Sequence, residues 1–339
     1  MQQSSLEGQG IARSERDPRE ESMFTRIDHT MICVNDLAAA QRTYTERLGF
    51  HVYPGGDHPG RGTHNAIGFF DLDYIELMGV RDRGELERDP NSGLLDFLAK
   101  GDGLRFFILA SDDIDADVAV MRSRGVDVHD VREGSRRTPR GALRQALREP
   151  LREPQDGAQD SVELKWRFAN FGRGTPLPFF IIQHLTPDAD RQSQVPRRAP
   201  HPNGALGYDH VVVAVTDIEA ARAEYQRALG IQPTPVRADA LLNAQVCGFP
   251  VGKTGVTLAT PRGPGPAREA LDRRGQGPFL LSFRSGNLQE TERWIMSHHI
   301  NIAAAGALRE PQDGVRTDGV RAIVTRPEPA HGVWMAWIG

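Results

Sequence analysis

The chain has 339 residues, a net charge of −4, 39% apolar and 25% charged residues. This is too long for one domain at about 150 residues each, and the balance is that of a soluble globular protein. The charge gives no electrostatic footprint for a nucleic acid or an anionic membrane, and no apolar run nears the roughly 20 residues that span a bilayer.

Residues 1–22 are polar and lack a hydrophobic stretch, so no secretory signal is expected and a cytoplasmic location follows. Residues 1–23 read as a disordered tail, with Met23 as a candidate genuine start. Cys33 and Cys247 lie far apart inside apolar segments, which suits two buried thiols. Ile27–Val34 is a strand-length apolar run, closed by Asn35-Asp36, which can cap a helix over Leu37–Leu48 that Gly49 ends. Strands are then expected at Phe50–Tyr53, Asn65–Phe70 and Tyr74–Val80, with the glycine-rich stretch up to Gly62, His58 included, as a turn.

That β-α-β-β-β order recurs. Tyr208–Asp217 repeats the opening almost letter for letter, with seven positions from His210 to Asp217 as from His29 to Asp36. Weaker copies begin at Leu104 and Pro278, and Leu151–Gly157 reappears identically as Leu308–Gly314. The polar stretch from Asp188 to Gly204 reads as a linker. The expected division is 24–187, a linker over 188–205, and 206–339, each domain made of two modules. A single module leaves one face of its curved sheet uncovered, so paired modules form a cup.

Several motifs carry a resemblance: His58-Pro59-Gly60-Arg61-Gly62-Thr63-His64-Asn65 followed by Tyr74-Ile75-Glu76, then Ser135-Arg136-Arg137-Thr138-Pro139-Arg140-Gly141, Leu164-Lys165-Trp166 and Pro178-Phe179-Phe180-Ile181. The chain resembles the glyoxalase-like branch of the vicinal oxygen chelate superfamily over nearly all of its length past residue 24. The resemblance implies an α+β fold: four βαβββ modules paired into two glyoxalase-like domains, each a curved mixed sheet forming a cup.

It also implies four metal-ligand places per domain, on the first and fourth strands of each module. In the first domain these are His29, Glu76, Phe106, and one of Gln183 or His184, since successive strand residues face opposite sides. Phe106 departs from the metal-binding pattern. A divalent metal (Zn, Fe, Mn, Ni or Mg) held by three of these side chains is one expectation. The other is no metal, with His29 a core histidine satisfied by Glu76. Glu76 can alternatively be a general base.

In a hairpin turning at Asp71–Asp73, Glu76 pairs near Phe69 or Gly68, which puts His64 roughly 13 Å along the strand, at the rim. There His64, Asn65, Arg136 and Arg137 are candidates to contact an anionic or oxygen-rich substrate. The second domain keeps only His210: Thr257, Leu280 and Ala336 occupy the other places, which leaves a structural partner or an apolar cup lined by Trp334 or Trp337.

The leading expectation is a metal-dependent lyase or isomerase acting on a small metabolite, with the metal as Lewis acid. The alternatives are a metal-free drug- or metabolite-binding protein, a ring-cleaving dioxygenase, or a scaffold. The partner is a small molecule, with no nucleic acid, no membrane, and room for a homodimer.

Overall fold

The apolar run that opens the first module becomes β1 (Arg26–Val34), buried along nearly its whole length. The computed structural model describes residues 23–58, 60–88, 93–139, 161–172, 177–193, 200–307 and 321–339. The expected tail, the repeated heptapeptide and most of the arginine-rich segment after Pro139 lie outside the described residues.

Asp36 caps α1 (Leu37–Arg42) by accepting from the Ala39 N–H, and the helix runs on as a π-helical turn, Thr43–Arg47. β2 (Val52–His58), β3 (Thr63–Phe69) and β4 (Tyr74–Val80) complete the module, and β4 lies parallel beside β1. Two short helices, α2 (Arg83–Glu87) and α3 (Leu94–Ala99), lead to the second module: β5 (Gly103–Ala110), α4 (Ile114–Ser123), β6 (Arg132–Pro139), β7 (Ser161–Ala169) and β8 (Phe179–His184). One eight-stranded sheet results, ordered β2-β3-β4-β1-β5-β8-β7-β6, with β1 and β5 antiparallel at its centre.

The second half repeats the plan after α5 (Asp188–Ser193). Its first module holds β9 (Ala205–Ala214), α6 (Ile218–Leu229), β10 (Arg237–Asp239), β11 (Ala244–Val251), β12 (Thr254–Pro261) and α7 (Pro266–Arg274). Then come β13 (Gly277–Ser285), α8 (Leu288–Ser297), β14 (Ile302–Ala307), β15 (Arg321–Thr325) and β16 (Trp334–Ile338). The strand order is the same. None of the described helices is long and apolar enough to cross a membrane.

Two local expectations change. The glycine-rich stretch is mostly strand: β2 continues through Gly55 and Gly56 to His58, with a register shift between Pro54 and Asp57. The turn itself is tight around Gly62, at φ +65°, where a Cβ would lie 2.3 Å from the Asp82 carbonyl oxygen, so only glycine fits. The stretch read as a linker also carries structure. Besides α5, His201 accepts from the His51 N–H (3.0 Å), and Asn203 donates to the Leu48 carbonyl (2.7 Å).

Strand alternation sends one side of each sheet into a core shared by both halves, where Phe50, Phe70, Tyr208, Phe283 and Trp337 pack ring to ring. The Tyr208 hydroxyl donates to the Tyr74 carbonyl (2.7 Å) and accepts from Thr30 Oγ1 (2.7 Å), tying β9 to β4 and β1. Tyr208→Phe leaves two buried groups without that partner and is expected to cost about 1–3 kcal/mol. Urea unfolding measures it; an unchanged midpoint would show that the hydroxyl does not help join the halves.

The opposite side of each sheet faces a cup, and the two cups differ. In the second, Val212, Ala259, Leu280, Trp334 and Ala336 are buried beneath Ala267 and Leu271 of α7, so that cup is filled. Trp334 faces it, whereas Trp337 faces the shared core. In the first cup α2 and α3 fill one end, with Leu86, Leu94 and Leu98 over Cys33.

Candidate functional site

At the other end of the first cup, β1 breaks the two-residue period. Ile27 pairs with Leu109 and His29 with Ile108, so Asp28 is an extra residue, a β-bulge. The bulge turns Asp28 to the same side as His29, while Ile27 joins the shared core and Thr30 bonds Tyr208 within it. Asp28 is fully buried, and its Oδ1 lies 2.8 Å from His29 Nδ1. The imidazole is held from a second side by the Tyr74 ring, stacked at 4.4 Å and 7°. These two contacts leave His29 Nε2 facing Glu76, whose Oε2 is 4.0 Å away.

Glu76 stands on β4 two residues beyond Tyr74 and is 7% exposed. It pairs across β3 with Ile67, and the next inward residue on β3, Asn65, donates from Nδ2 to Glu76 Oε1 at 2.6 Å. Asn65 Oδ1 accepts from the Gly56 N–H in turn (2.9 Å), which fixes the amide's orientation. One carboxylate oxygen is therefore engaged and the other looks toward His29.

His184 reaches the cluster through Asp28. Alternation on β8 puts His184 with Phe180 on the cup side and Gln183 with Phe179 and Ile181 on the other. His184 Nε2 lies 3.1 Å from Asp28 Oδ2, and the guanidinium groups of Arg26 (3.2 Å) and Arg191 of α5 (3.7 Å) complete the ring of contacts around that carboxylate. Burial alone would push the Asp28 carboxyl up; the charge and hydrogen bond of His184 and the contact with His29 outweigh it and hold it well below the usual carboxylate range. Asp73, paired with Arg26 at 2.7 Å, is pushed up to about 6 by burial.

The structure thus brings together His29, Glu76 and Asn65, with His184 one contact away. Gln183 stays out: it donates to the Asp112 carbonyl (2.6 Å) at the start of α4. His64 also stays out, for the same alternation that brings Asn65 in. Its ring lies over Gly79 beside Leu37 of α1, on the outer face of β3 rather than at the rim of the cup. The hairpin register differs by one from expectation, because the turn spans four residues and pairs Phe69 with Tyr74.

Arg136 is half-buried on β6 and lies at the cup mouth beside Gly56. The side chain of Arg137 lies outside the described residues. His58 closes the hairpin by contacting Thr63 Oγ1 through Nδ1 (2.8 Å), and burial holds its imidazole pKa down.

Asp28, Tyr74, Arg26 and Arg191 were not expected in the site. Only Asp28 left a signal: the same Asp-His pair opens the second half, where Asp209 Oδ2 lies 2.7 Å from His210 Nδ1 at an equivalent register break. Thr257 and Ala336 give that histidine no acid. A separate cavity of about 530 Å³ opens at the seam of the two halves, walled by Phe97, Arg274 and Trp334, apart from these residues.

The expected metal fits this geometry poorly. Two donor atoms, His29 Nε2 and Glu76 Oε2, face each other, but His184 is turned onto Asp28 and Phe106 packs against Phe180. Among the described residues no three His, Cys, Asp or Glu groups converge as a metal would need. The purified protein is expected to hold well under one equivalent of divalent metal and to unfold at the same temperature after dialysis against a chelator. Elemental analysis checks this; a full equivalent that disappears in His29→Ala and Glu76→Ala would contradict it.

Comparison with known proteins follows the same division of the chain. A glyoxalase-like domain model matches residues 27–207, and a glyoxalase/bleomycin resistance protein/dioxygenase superfamily model matches residues 209–317. No curated protein matches.

Among solved structures, a mutant 4-hydroxymandelate synthase from Streptomyces coelicolor aligns over 93% of this chain and 92% of its own, at 14% identity and a TM-score of 0.59. The Mn(II)-bound glyoxalase from Novosphingobium aromaticivorans aligns over 94% and 83%, at 13% identity and 0.54. A hypothetical protein from Staphylococcus aureus aligns over 92% and 98%, at 12% identity and 0.57. At such identities these three are like this chain in fold. The sheet order, its repetition and a first match that takes in more than half of the residues agree, and the protein belongs to the glyoxalase-like domain family of the vicinal oxygen chelate superfamily.

Proposed function

We propose that the protein is a lyase- or isomerase-type enzyme that moves a proton on a small oxygen-rich metabolite held in the N-terminal cup. The observation that carries this reading is the pair of facing groups at 4.0 Å, Glu76 Oε2 and His29 Nε2, each oriented from behind by a hydrogen-bonded neighbour. Glu76 takes the proton from a carbon next to a carbonyl or carboxyl group, whose oxygen takes up the electron pair left behind. Its Oε1 is already held by Asn65, so Oε2 is the oxygen left to act. His29, locked by Asp28 and the Tyr74 ring, stands within reach to pass a proton to or from the substrate oxygen.

The test is deuterium exchange. In D₂O the protein is incubated with a panel of 2-hydroxy and 2-oxo carboxylates and the carbon-bound protons are followed by NMR. Catalysed exchange into at least one member is expected. A second reading, a metal-free binding or resistance protein, draws on the half-buried Phe106 ring, which packs against Phe180 at a place where a metal ligand was expected. Acids that bind without any exchange would favour it and overturn the first.

A further inference from the structure

The wall of the first cup facing Glu76 is built differently from its floor. On β7 and β8, residues directly opposite each other in register share a face, so Trp166 lies on the side of His184 and Phe168 on the side of Ile182. The Trp166 indole crosses Gly134 of β6, where a Cβ would come within 2.4 Å of its Nε1. Arg136, two residues on, therefore points the same way. With Phe180 and Phe106, whose rings meet at 6.1 Å, this side of the cup is lined with aromatic rings.

All four of these side chains remain partly exposed. Aromatic rings that face the inside of a cup and still meet solvent are an exposed apolar surface, and such surfaces mark binding sites. The second cup is the internal control: it has the same strand order, yet its inner residues are buried beneath α7.

Charge supplies the second half of the argument. The Arg136 guanidinium has no hydrogen bond or ion pair with any described residue, although it is half-buried at the cup mouth beside Gly56. A second guanidinium, Arg61, stands 6.0 Å over the Phe168 ring. The acids of the cluster are committed: Asp28 to its cations, Glu76 Oε1 to Asn65.

We propose that the ligand of this cup is an aromatic carboxylate, its ring against Phe106, Trp166, Phe168 and Phe180 and its anion on Arg136. The proposal rests on the proton-transfer reading only in using the same cup, and places the reacting carbon on the Glu76 side of the ring. A charge-assisted guanidinium–carboxylate pair in such a half-buried place gives about a ten-fold or greater preference for the anion.

The test is equilibrium binding to the full chain by titration calorimetry, with phenylacetate as probe, benzyl alcohol as the neutral ring and propanoate as the anion without a ring. Phenylacetate is expected to bind at one site per chain, about ten-fold or more tightly than either control. Arg136→Gln is expected to bring phenylacetate down to the level of benzyl alcohol, while Ser282→Ala, buried in the filled cup, changes nothing. Equal affinity for acid and alcohol, an unchanged affinity in Arg136→Gln, or no saturable binding of any ring would each overturn the proposal. Glu76→Gln separates the two readings. Phenylacetate binding retained with exchange lost supports both; binding with no exchange in the wild type sinks only the proton-transfer reading; exchange on aliphatic acids with no phenylacetate binding sinks only the aromatic one.

Discussion

Asp28→Ala is expected to lower stability by about 3–5 kcal/mol, the largest effect of any single change in the cup. The carboxylate is fully buried and takes contacts from His29 (2.8 Å), His184 (3.1 Å), Arg26 (3.2 Å) and Arg191 (3.7 Å). Removing it takes the shared acceptor away from His29 and His184 and leaves Arg26 and Arg191 with only Asp73 and Asp188, and it also frees the bulge that depends on a polar side chain turning inward.

The acid dependence follows from the sign of the shift. A carboxyl held below its ordinary value of 3.8 stabilises the fold at pH above that value, and the contribution is lost as pH falls through the native value. The difference between wild type and variant is therefore expected to be constant at neutral pH and to shrink below about pH 4. Urea unfolding at pH 7 and at pH 3 measures both parts. A variant as stable as the wild type at pH 7 would show that the cluster is not what braces β1.

Glu76→Gln is expected to act in the opposite manner, leaving the fold intact and slowing deuterium exchange by about 10²–10⁴, the usual contribution of a positioned general base. Glutamine keeps the shape and an oxygen for Asn65 Nδ2, so the 2.6 Å hydrogen bond has a neutral replacement. What it loses is an oxygen that can accept a proton beside His29 Nε2. Exchange measured at saturating acid isolates this from binding; a fall under ten-fold would move the base elsewhere.

Much of this architecture was legible because the chain writes it repeatedly. The His29–Asp36 and His210–Asp217 spacings mark strand and helix start in both halves, and the sheet orders repeat accordingly. Glu76 was legible as a carboxylate in an apolar strand that needed a partner, and Asn65 supplies one. His64 was misplaced because distance along the strand was considered and face was not; one residue's difference moves it to the α1 side. Asp28 was missed because strict alternation assigns neighbours to opposite faces, and a bulge is set by pairing with β5, which the local sequence of β1 does not contain. The ambiguity between His184 and Gln183 is resolved by the parallel pairing of Leu109 with Ile181 and Ala110 with Ile182, a contact distant in sequence.

The filled second cup was foreshadowed by Thr257 and Ala336 standing where acids would be, though α7 as the element that fills it was not. The tie between the two halves is likewise tertiary. Tyr208 reads as one more apolar residue of an opening strand, and only the packed structure sets its hydroxyl between Thr30 and Tyr74.

That only one of two matching cups works is the claim on which the rest stands, and a paired measurement of carbon-proton exchange addresses it. Under identical conditions, Glu76→Gln in the first cup should slow exchange by about 10²–10⁴, whereas Ser282→Ala, beside His210 in the second, should leave the wild-type rate. Exchange that survives Glu76→Gln and disappears with Ser282→Ala would contradict the account.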